Sequence, residues 1–130
     1  MVHSKRIAVT LPAGPRVEDT IYRIRWAEEN GIPDAWFSDS GAPDTLTQVA
    51  AVAHTTRDIR IGTAVTPVYT RSPSVLAASA NVIGQLLPGR FIMGLGSSSQ
   101  TIMTQFLSLI HISEPTRRRG ISYAVFCLIK

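Results

Sequence analysis

Apolar residues along this chain form short continuous runs that alternate with longer stretches of helical periodicity. Four of these runs are rich in β-branched and aromatic residues, which predicts strands. They are residues 6–11 (RIAVTL), 34–38 (DAWFS), 59–65 (IRIGTAV) and 90–95 (RFIMGL). Because the apolar positions are mostly consecutive instead of alternating with polar ones, we expect the strands to be covered on both faces.

The three intervals between the strands each have a helix pattern with local start or stop signals. The first helix is expected to end at Asn30-Gly31, since a glycine after the last periodic residue commonly ends a helix. Asp44 is a candidate cap for the second helix, and Ser72-Pro73 places a cap residue before a proline at the first helical position of the third. Pro88-Gly89 marks the end of that third helix. The predicted order is therefore β-α-β-α-β-α-β.

Strands that alternate with helices through short connections predict an α/β fold with a parallel sheet and right-handed crossovers. Two architectures fit four such strands: an open doubly wound sheet, or the first part of an eight-stranded barrel. A dinucleotide-binding sheet would carry G-x-G-x-x-G after its first strand, where this chain has Pro12-Ala13-Gly14-Pro15. The near match at residues 94–99 (GLGSSS) follows the fourth strand and lacks the third glycine, so it is weak evidence for such a site.

Length and cysteine content restrict the class of protein. A chain of 130 residues allows one small domain, and the lone Cys127 excludes a disulfide framework. Cys and His residues lack zinc-ligand spacing, so no metal site is predicted. No apolar run approaches the roughly 18 residues of a membrane helix, and the N-terminal stretch is too polar for a signal peptide. We therefore expect a cytoplasmic protein with no membrane partner.

The net charge of +4 is unevenly distributed. Residues 1–106 carry nine Lys and Arg against eight acidic residues, whereas residues 107–130 carry four against one. A basic chain invites a nucleic-acid interpretation. Here the excess is one short cluster, Arg117–Arg119, without interleaved aromatic residues in a recognised motif, so a nucleic-acid partner is not predicted.

Five segments in order resemble the luciferase-like flavin-dependent monooxygenase family, in particular its members that use a deazaflavin coenzyme. They are residues 27–31 (AEENG), 34–39 (DAWFSD), 61–67 (IGTAVTP), 71–73 (RSP) and 88–96 (PGRFIMGLG). The resemblance implies an incomplete (β/α)8 TIM barrel in which about β1-α1-β2-α2-β3-α3-β4 is present, because a whole barrel needs about 250 residues. It also implies FMN or a deazaflavin, coenzyme F420, as the cofactor, bound at the C-terminal ends of the strands.

The resemblance implies a cofactor pocket built from five residues. Asp39 matches an acid that lines the pocket, and it is the candidate catalytic residue. Ala64 and Val65 match a bulge that in relatives often contains a non-prolyl cis peptide bond supporting the ring. Ser97 and Ser98 match a pair of small residues whose backbone approaches the ring.

The residues alone leave other roles open at this pocket. Asp39 could instead cap a loop or pair with a nearby arginine. Arg71 could bind a substrate or phosphate, although a structural role at the helix start is the better interpretation. Gly94 and Gly96 could contact the cofactor or only relieve crowding inside the barrel.

Two positions depart from the family pattern. Many deazaflavin-using relatives have a catalytic histidine after the acid, where this chain has Ser40, and some have a glutamate where it has Ser99. These departures disfavour the dehydrogenase chemistry of particular relatives and favour the broader description of a flavin-type oxidoreductase.

Residues 107–130 break from the family pattern. Residues 107–117 and 121–128 resemble the conceptual translation of two successive segments of a sequencing-library adapter, with residues 118–120 where a variable index would lie. We therefore expect a truncated barrel domain at residues 1–106 and an unrelated tail of artefactual origin at residues 107–130.

The function that follows is a fragment of an oxidoreductase or monooxygenase. The parent enzyme would carry out hydride or oxygen chemistry on a small-molecule substrate at a reduced flavin or deazaflavin, and a homo-oligomeric parent is left open. This chain by itself is expected to be inactive. The alternative is a non-catalytic fragment with no specific ligand.

Overall fold

A computed structural model describes residues 6–12, 14–40 and 43–97 of the chain. Strands and helices alternate in the predicted order. The strands are β1 (Ala8–Pro12), β2 (Asp34–Ser38), β3 (Arg60–Thr63), β4 (Thr66–Pro67), β5 (Phe91–Ile92) and β6 (Leu95–Gly96). The helices are α1 (Val17–Glu29), α2 (Thr45–Val52) and α3 (Pro73–Leu86), and one turn of 3-10 helix, Ala53–Thr55, follows α2.

All the strand pairs in the described residues are parallel. The main sheet has the order β1-β2-β3-β5, and β4 pairs with β6. Thr10, Trp36, Gly62 and Ile92 lie side by side across the main sheet. The α/β class and the parallel sheet predicted from the sequence are confirmed.

The third predicted strand, 59–65, ends already at Thr63 and is followed by a separate short strand, β4, and the fourth predicted strand, 90–95, is divided between β5 and β6. The sequence pattern indicated neither break. The Ala64 amide still donates to the Phe37 carbonyl oxygen at 2.8 Å, as part of the pairing with β2. The Thr66 amide donates instead to the Gly94 carbonyl oxygen at 2.7 Å. The chain therefore changes hydrogen-bonding neighbour between residues 64 and 66, and an unbroken strand over 59–65 cannot form.

The hydrophobic core lies between one face of the sheet and the three helices. Phe37 and Ile61 are fully buried on adjacent strands and belong to one cluster with Ile24, Val49 and Ile83 of the helices. Because side chains alternate across a strand, the residues next to Phe37 on β2 and next to Ile61 on β3 point to the opposite face of the sheet. The helices thus cover one side of the sheet, as in the outer layer of a barrel.

The predicted helix boundaries are confirmed by their hydrogen bonds and dihedral angles. The Asp44 carboxylate accepts from the Thr47 amide at 2.9 Å, and the Ser72 hydroxyl accepts from the Val75 amide at 3.4 Å. Gly31, after α1, has a φ of 73°, a conformation that residues with a Cβ rarely adopt. These local signals place each helix without reference to the rest of the fold.

Two carboxylates fasten the end of the sheet where the strands begin. Glu28 accepts from the backbone amides of Arg57, Asp58 and Ile59 at 2.9, 2.7 and 3.0 Å, and so holds the segment that enters β3. Asp34, at the start of β2, pairs with Arg60 at 2.5 Å on β3. Such contacts at this end of a barrel serve stability, because ligands bind at the other end.

The hydrogen bonds and ion pair of Glu28 and Asp34 make the stability of the fold depend on pH. Burial opposes ionisation of Glu28, but the three amides outweigh it and lower its pKa below the ordinary value of 4.5. The hydrogen bond from Arg60 is the main reason that the pKa of Asp34 lies below its ordinary value of 3.8, against a smaller opposing effect of burial.

We expect the free energy of unfolding to decrease as the pH falls below about 4.5. A carboxylate whose pKa is lower in the folded state stabilises the fold above its unfolded pKa, and the contribution is lost as pH falls through the folded pKa. Urea unfolding between pH 7 and pH 3 measures this decrease, and Glu28→Gln should make it shallower. Glu29→Gln, on the same helix with an exposed side chain, should leave the profile unchanged. Equal profiles for Glu28→Gln and the unsubstituted chain would contradict the assignment.

Candidate functional site

Because the strands are parallel, their C-terminal ends meet along one edge of the sheet. Asp39 directly follows β2, Ala64 and Val65 connect β3 with β4, and Ser97 directly follows β6. The four described residues that the sequence analysis assigned to a pocket therefore lie at the expected end of neighbouring strands. Ser98 lies outside the described residues.

Asp39 is buried and ion-paired. Its side chain is 1% exposed, and Oδ2 lies 3.3 Å from Nη1 of Arg71. Nη1 also donates to the Thr70 hydroxyl at 3.3 Å, while Nη2 of Arg71 pairs with Asp44. Pairing with an arginine was one alternative for Asp39 in the sequence, and the structure identifies that arginine.

The Arg71 guanidinium is held as a cation between two carboxylates. Burial tends to lower its pKa, but the hydrogen bond to Asp44 and the charge of Asp39 outweigh burial, and the net effect is a raised pKa. Burial likewise opposes ionisation of Asp44, and the hydrogen bonds from Thr47 and Arg71 reverse that effect, so the pKa of Asp44 is lowered. The Arg71 guanidinium is thus engaged with side chains of its own chain. This does not fit the alternative in which Arg71 binds a substrate or phosphate.

The connection between β3 and β4 is tightly packed against the next strand. The Ala64–Val65 peptide bond is cis, as the family resemblance implied. Ala64 is exposed and Val65 is half-buried. A Cβ added to Gly96 would come within 2.5 Å of Val65 Cγ2, so the absence of a side chain at Gly96 makes room for Val65.

Gly94 is packed even more closely. A Cβ there would overlap the carbonyl oxygen of Thr63. The Thr63 hydroxyl also donates to the Gly94 carbonyl oxygen at 3.0 Å and accepts from the Gly94 amide at 3.1 Å. Relief of crowding, one of the two roles left open for Gly94 and Gly96, is therefore what the described contacts show.

Thr66 is a residue that sequence reasoning missed. It is fully buried, and its hydroxyl has no hydrogen-bond partner among the described residues. A buried hydroxyl without a partner costs free energy, so it marks a place where a ligand or another group would be stabilising. A threonine in a β-rich run carries no sequence signal for this, because strands favour threonine in any case.

The described residues contain no cluster of three or more His, Cys, Asp or Glu side chains that could hold a metal ion. Within the same residues, no helix has the length and apolar character needed to cross a lipid bilayer.

A parallel sheet with helices on one face is the arrangement of successive units of a β/α barrel. Residues 1–120 match the family model of the luciferase-like monooxygenases, and the chain belongs to that family. The resemblance drawn from the sequence motifs is confirmed. The match extends beyond residue 106, and the division of the chain at that position stays a prediction.

Sequence relatives in this family are named oxidoreductases. The chain is 31% identical over 91 residues to a 5,10-methylenetetrahydromethanopterin reductase from Methanolobus tindarius, covering 69% of this chain and 28% of that protein. It is 38% identical over 95 residues to an F420-dependent glucose-6-phosphate dehydrogenase from Amycolatopsis mediterranei, covering 65% of this chain and 28% of that protein. The chain thus spans less than a third of the length of these relatives.

Solved structures confirm the fold. The coenzyme F420-dependent tetrahydromethanopterin reductase of Methanopyrus kandleri superposes with a TM-score of 0.71 at 24% identity, over 77% of this chain and 29% of that one. The oxygenating constituent of 3,6-diketocamphane monooxygenase from Pseudomonas putida, solved with FMN, gives 0.63 at 21% identity, over 68% and 26%. The described strands therefore correspond to part of a TIM barrel.

Proposed function

We propose that these residues form part of an oxidoreductase that works with FMN or the deazaflavin coenzyme F420. The observation that carries the proposal is the meeting of Asp39, the Ala64–Val65 connection and Ser97 at the C-terminal ends of neighbouring strands. Ligands of β/α barrels bind at this end. Relatives named for F420 and for an FMN complex support both cofactors, and the described residues do not favour one over the other.

The residues present fit a flat, polar ring. Ala64 and Ser97 are exposed, and their small side chains leave room for a ring to approach the backbone. Asp39 directly follows β2 and Thr66 begins β4, and the Thr66 hydroxyl has no hydrogen-bond partner among the described residues. Asp39, Ala64, Val65, Ser97 and Ser98 would hold the ring. When bound, the flavin or deazaflavin supplies the redox chemistry.

The protein's own part is to bind and orient. Asp39, held by Arg71, would act as a fixed hydrogen-bond acceptor at the pocket wall, and Val65 would pack against the ring on its apolar side. Ser40, where many relatives have a catalytic histidine, cannot supply an imidazole for proton transfer. We therefore propose an oxidoreductase acting on a small-molecule substrate by hydride or oxygen chemistry, and we do not assign it the dehydrogenase chemistry of its sequence relatives.

Titration of the ¹⁵N-labelled chain with millimolar FMN, and separately with F420, tests the proposal. One wall of a pocket should bind the ring weakly, so we expect no tight binding and only fast-exchange amide shifts. The shifts should cluster at Asp39, Ala64, Val65 and Ser97 and be absent at Asp34, at the other end of β2. Adenosine monophosphate, which has a phosphate but no tricyclic ring, is the control ligand.

Each result of this titration has a defined meaning. Ring-dependent shifts at the strand ends support the proposed function. An absence of shifts with both cofactors, or shifts spread over the outer surface of α1, would support the alternative of a fragment with no specific ligand. Micromolar affinity would overturn the expectation that the chain alone binds neither cofactor tightly.

A further inference from the structure

Arg71 joins two segments that are far apart in sequence. It lies between β4 and α3, and its side chain is only 17% exposed. One side of the guanidinium reaches Asp39, directly after β2, at 3.3 Å, and the other reaches Asp44, the cap of α2. A single side chain of one βα connection therefore holds both ends of the preceding connection.

The planar fork of arginine suits this position. It presents N–H groups in two directions at once, whereas the ammonium of lysine is a single point charge on a flexible stem. Asp44 is already engaged as an N-cap by the Thr47 amide at 2.9 Å, so its position is set by α2. Arg71, anchored on Asp44, in turn restricts where the Asp39 carboxylate can lie.

β2 also takes part in a second aspartate–arginine ion pair, which serves as a structural comparison. Asp34, at the start of β2, pairs with Arg60 at 2.5 Å. Both pairs join a nearly buried aspartate of β2 or its end to an arginine of the next βα unit. They differ in place, because only the Arg71 pair lies at the end of the sheet that carries the candidate pocket.

We infer that Arg71 is a positioning residue that fixes the Asp39 carboxylate for hydrogen bonding to the bound ring. This inference rests on the proposed function. Arg71 would not touch the cofactor itself, since both ends of its guanidinium are engaged with Asp39, Thr70 and Asp44. Its effect on the ring is transmitted through Asp39.

The test compares ring affinity, measured from the amide shifts at millimolar FMN, in three variants of the full 130-residue chain. Arg71→Met should weaken binding about tenfold, which is the lower range for losing a hydrogen bond to a charged group. Arg71→Lys, which keeps the charge but not the fork, should weaken it about threefold. Arg60→Met removes the matched pair at the other end and should leave ring affinity unchanged. Circular dichroism identifies the variants that fold.

The outcomes separate this inference from the function on which it rests. If the unsubstituted chain gives no ring-dependent shifts, the proposed function fails, and the inference fails with it. If the unsubstituted chain binds the ring and folded Arg71→Met binds equally well, only the positioning role is overturned. Equal losses in Arg60→Met and Arg71→Met would also overturn it, because the effect would then be general destabilisation. If Arg71→Met does not fold, unchanged affinity in Arg71→Lys decides against the inference.

Discussion

Replacing Gly94 with alanine is expected to destabilise the fold by about 3 kcal/mol or more, at the upper end of what overpacking of a core costs. The new Cβ would overlap the Thr63 carbonyl oxygen, which belongs to backbone and cannot rotate away. Separating them would stretch the two hydrogen bonds between the Thr63 hydroxyl and Gly94. The junction of β3 and β5 with the β4–β6 pair would then be lost.

Gly84→Ala is the matched control for this substitution. Gly84 lies within α3, and a Cβ there would meet no atom within 4 Å. Because glycine is a poor residue for a helix interior, alanine should stabilise the chain by about 0.5–1 kcal/mol. Urea unfolding followed by circular dichroism gives both values. A Gly94→Ala chain as stable as the unsubstituted one would show that the close approach of these strands is wrong.

Replacing Thr63 or Thr66, three positions apart, with valine should change the free energy of unfolding in opposite directions. Thr63→Val is expected to destabilise the fold by about 1–3 kcal/mol, because it leaves the buried Gly94 amide and carbonyl without the hydroxyl that both contact. Thr66→Val is expected to stabilise it by about 1 kcal/mol, because a methyl group replaces a buried hydroxyl that has no partner among the described residues. The side-chain volume changes little in either case.

The two variants are measured side by side by urea unfolding at pH 7, and each serves as the control of the other. A gain in stability in Thr66→Val would show that the fold keeps this hydroxyl at a cost, as is common where a group serves a ligand. Loss of stability in both variants would mean that the Thr66 hydroxyl has a partner, and it would remove that residue from the candidate site.

Elements that depend on neighbouring residues were predictable from the sequence. Asp44 and Ser72 cap helices because a short polar side chain reaches an amide three positions ahead, and Gly31 ends α1 through its own dihedral angle. The alternation of apolar runs with helical patterns then implies a parallel sheet, because a helical crossover returns the chain in the same direction. The family motifs added the barrel and the positions of the candidate pocket residues, which the hydrophobic pattern does not specify.

Other features follow only from contacts between distant segments. The end of β3 at Thr63 and the separate strand β4 arise because Ala64 still hydrogen-bonds to β2 whereas Thr66 hydrogen-bonds to the segment before β6. Arg71, which pairs with Asp39, lies 32 positions away in sequence, and either an arginine pair or a loop cap fitted the local sequence. Likewise Thr66 could be recognised only from the folded chain, in which its buried hydroxyl has no hydrogen-bond partner among the described residues.

The sequence by itself therefore determined the elements, their order and the family to which the chain belongs. The tertiary structure decided which charges pair at the candidate pocket, which glycines are closely packed and which buried hydroxyl has no partner among the described residues. The physical reason is that helix caps and hydrophobic periodicity act within a few residues. Ion pairs, close packing and the satisfaction of buried polar groups depend instead on atoms brought together by three successive βα units.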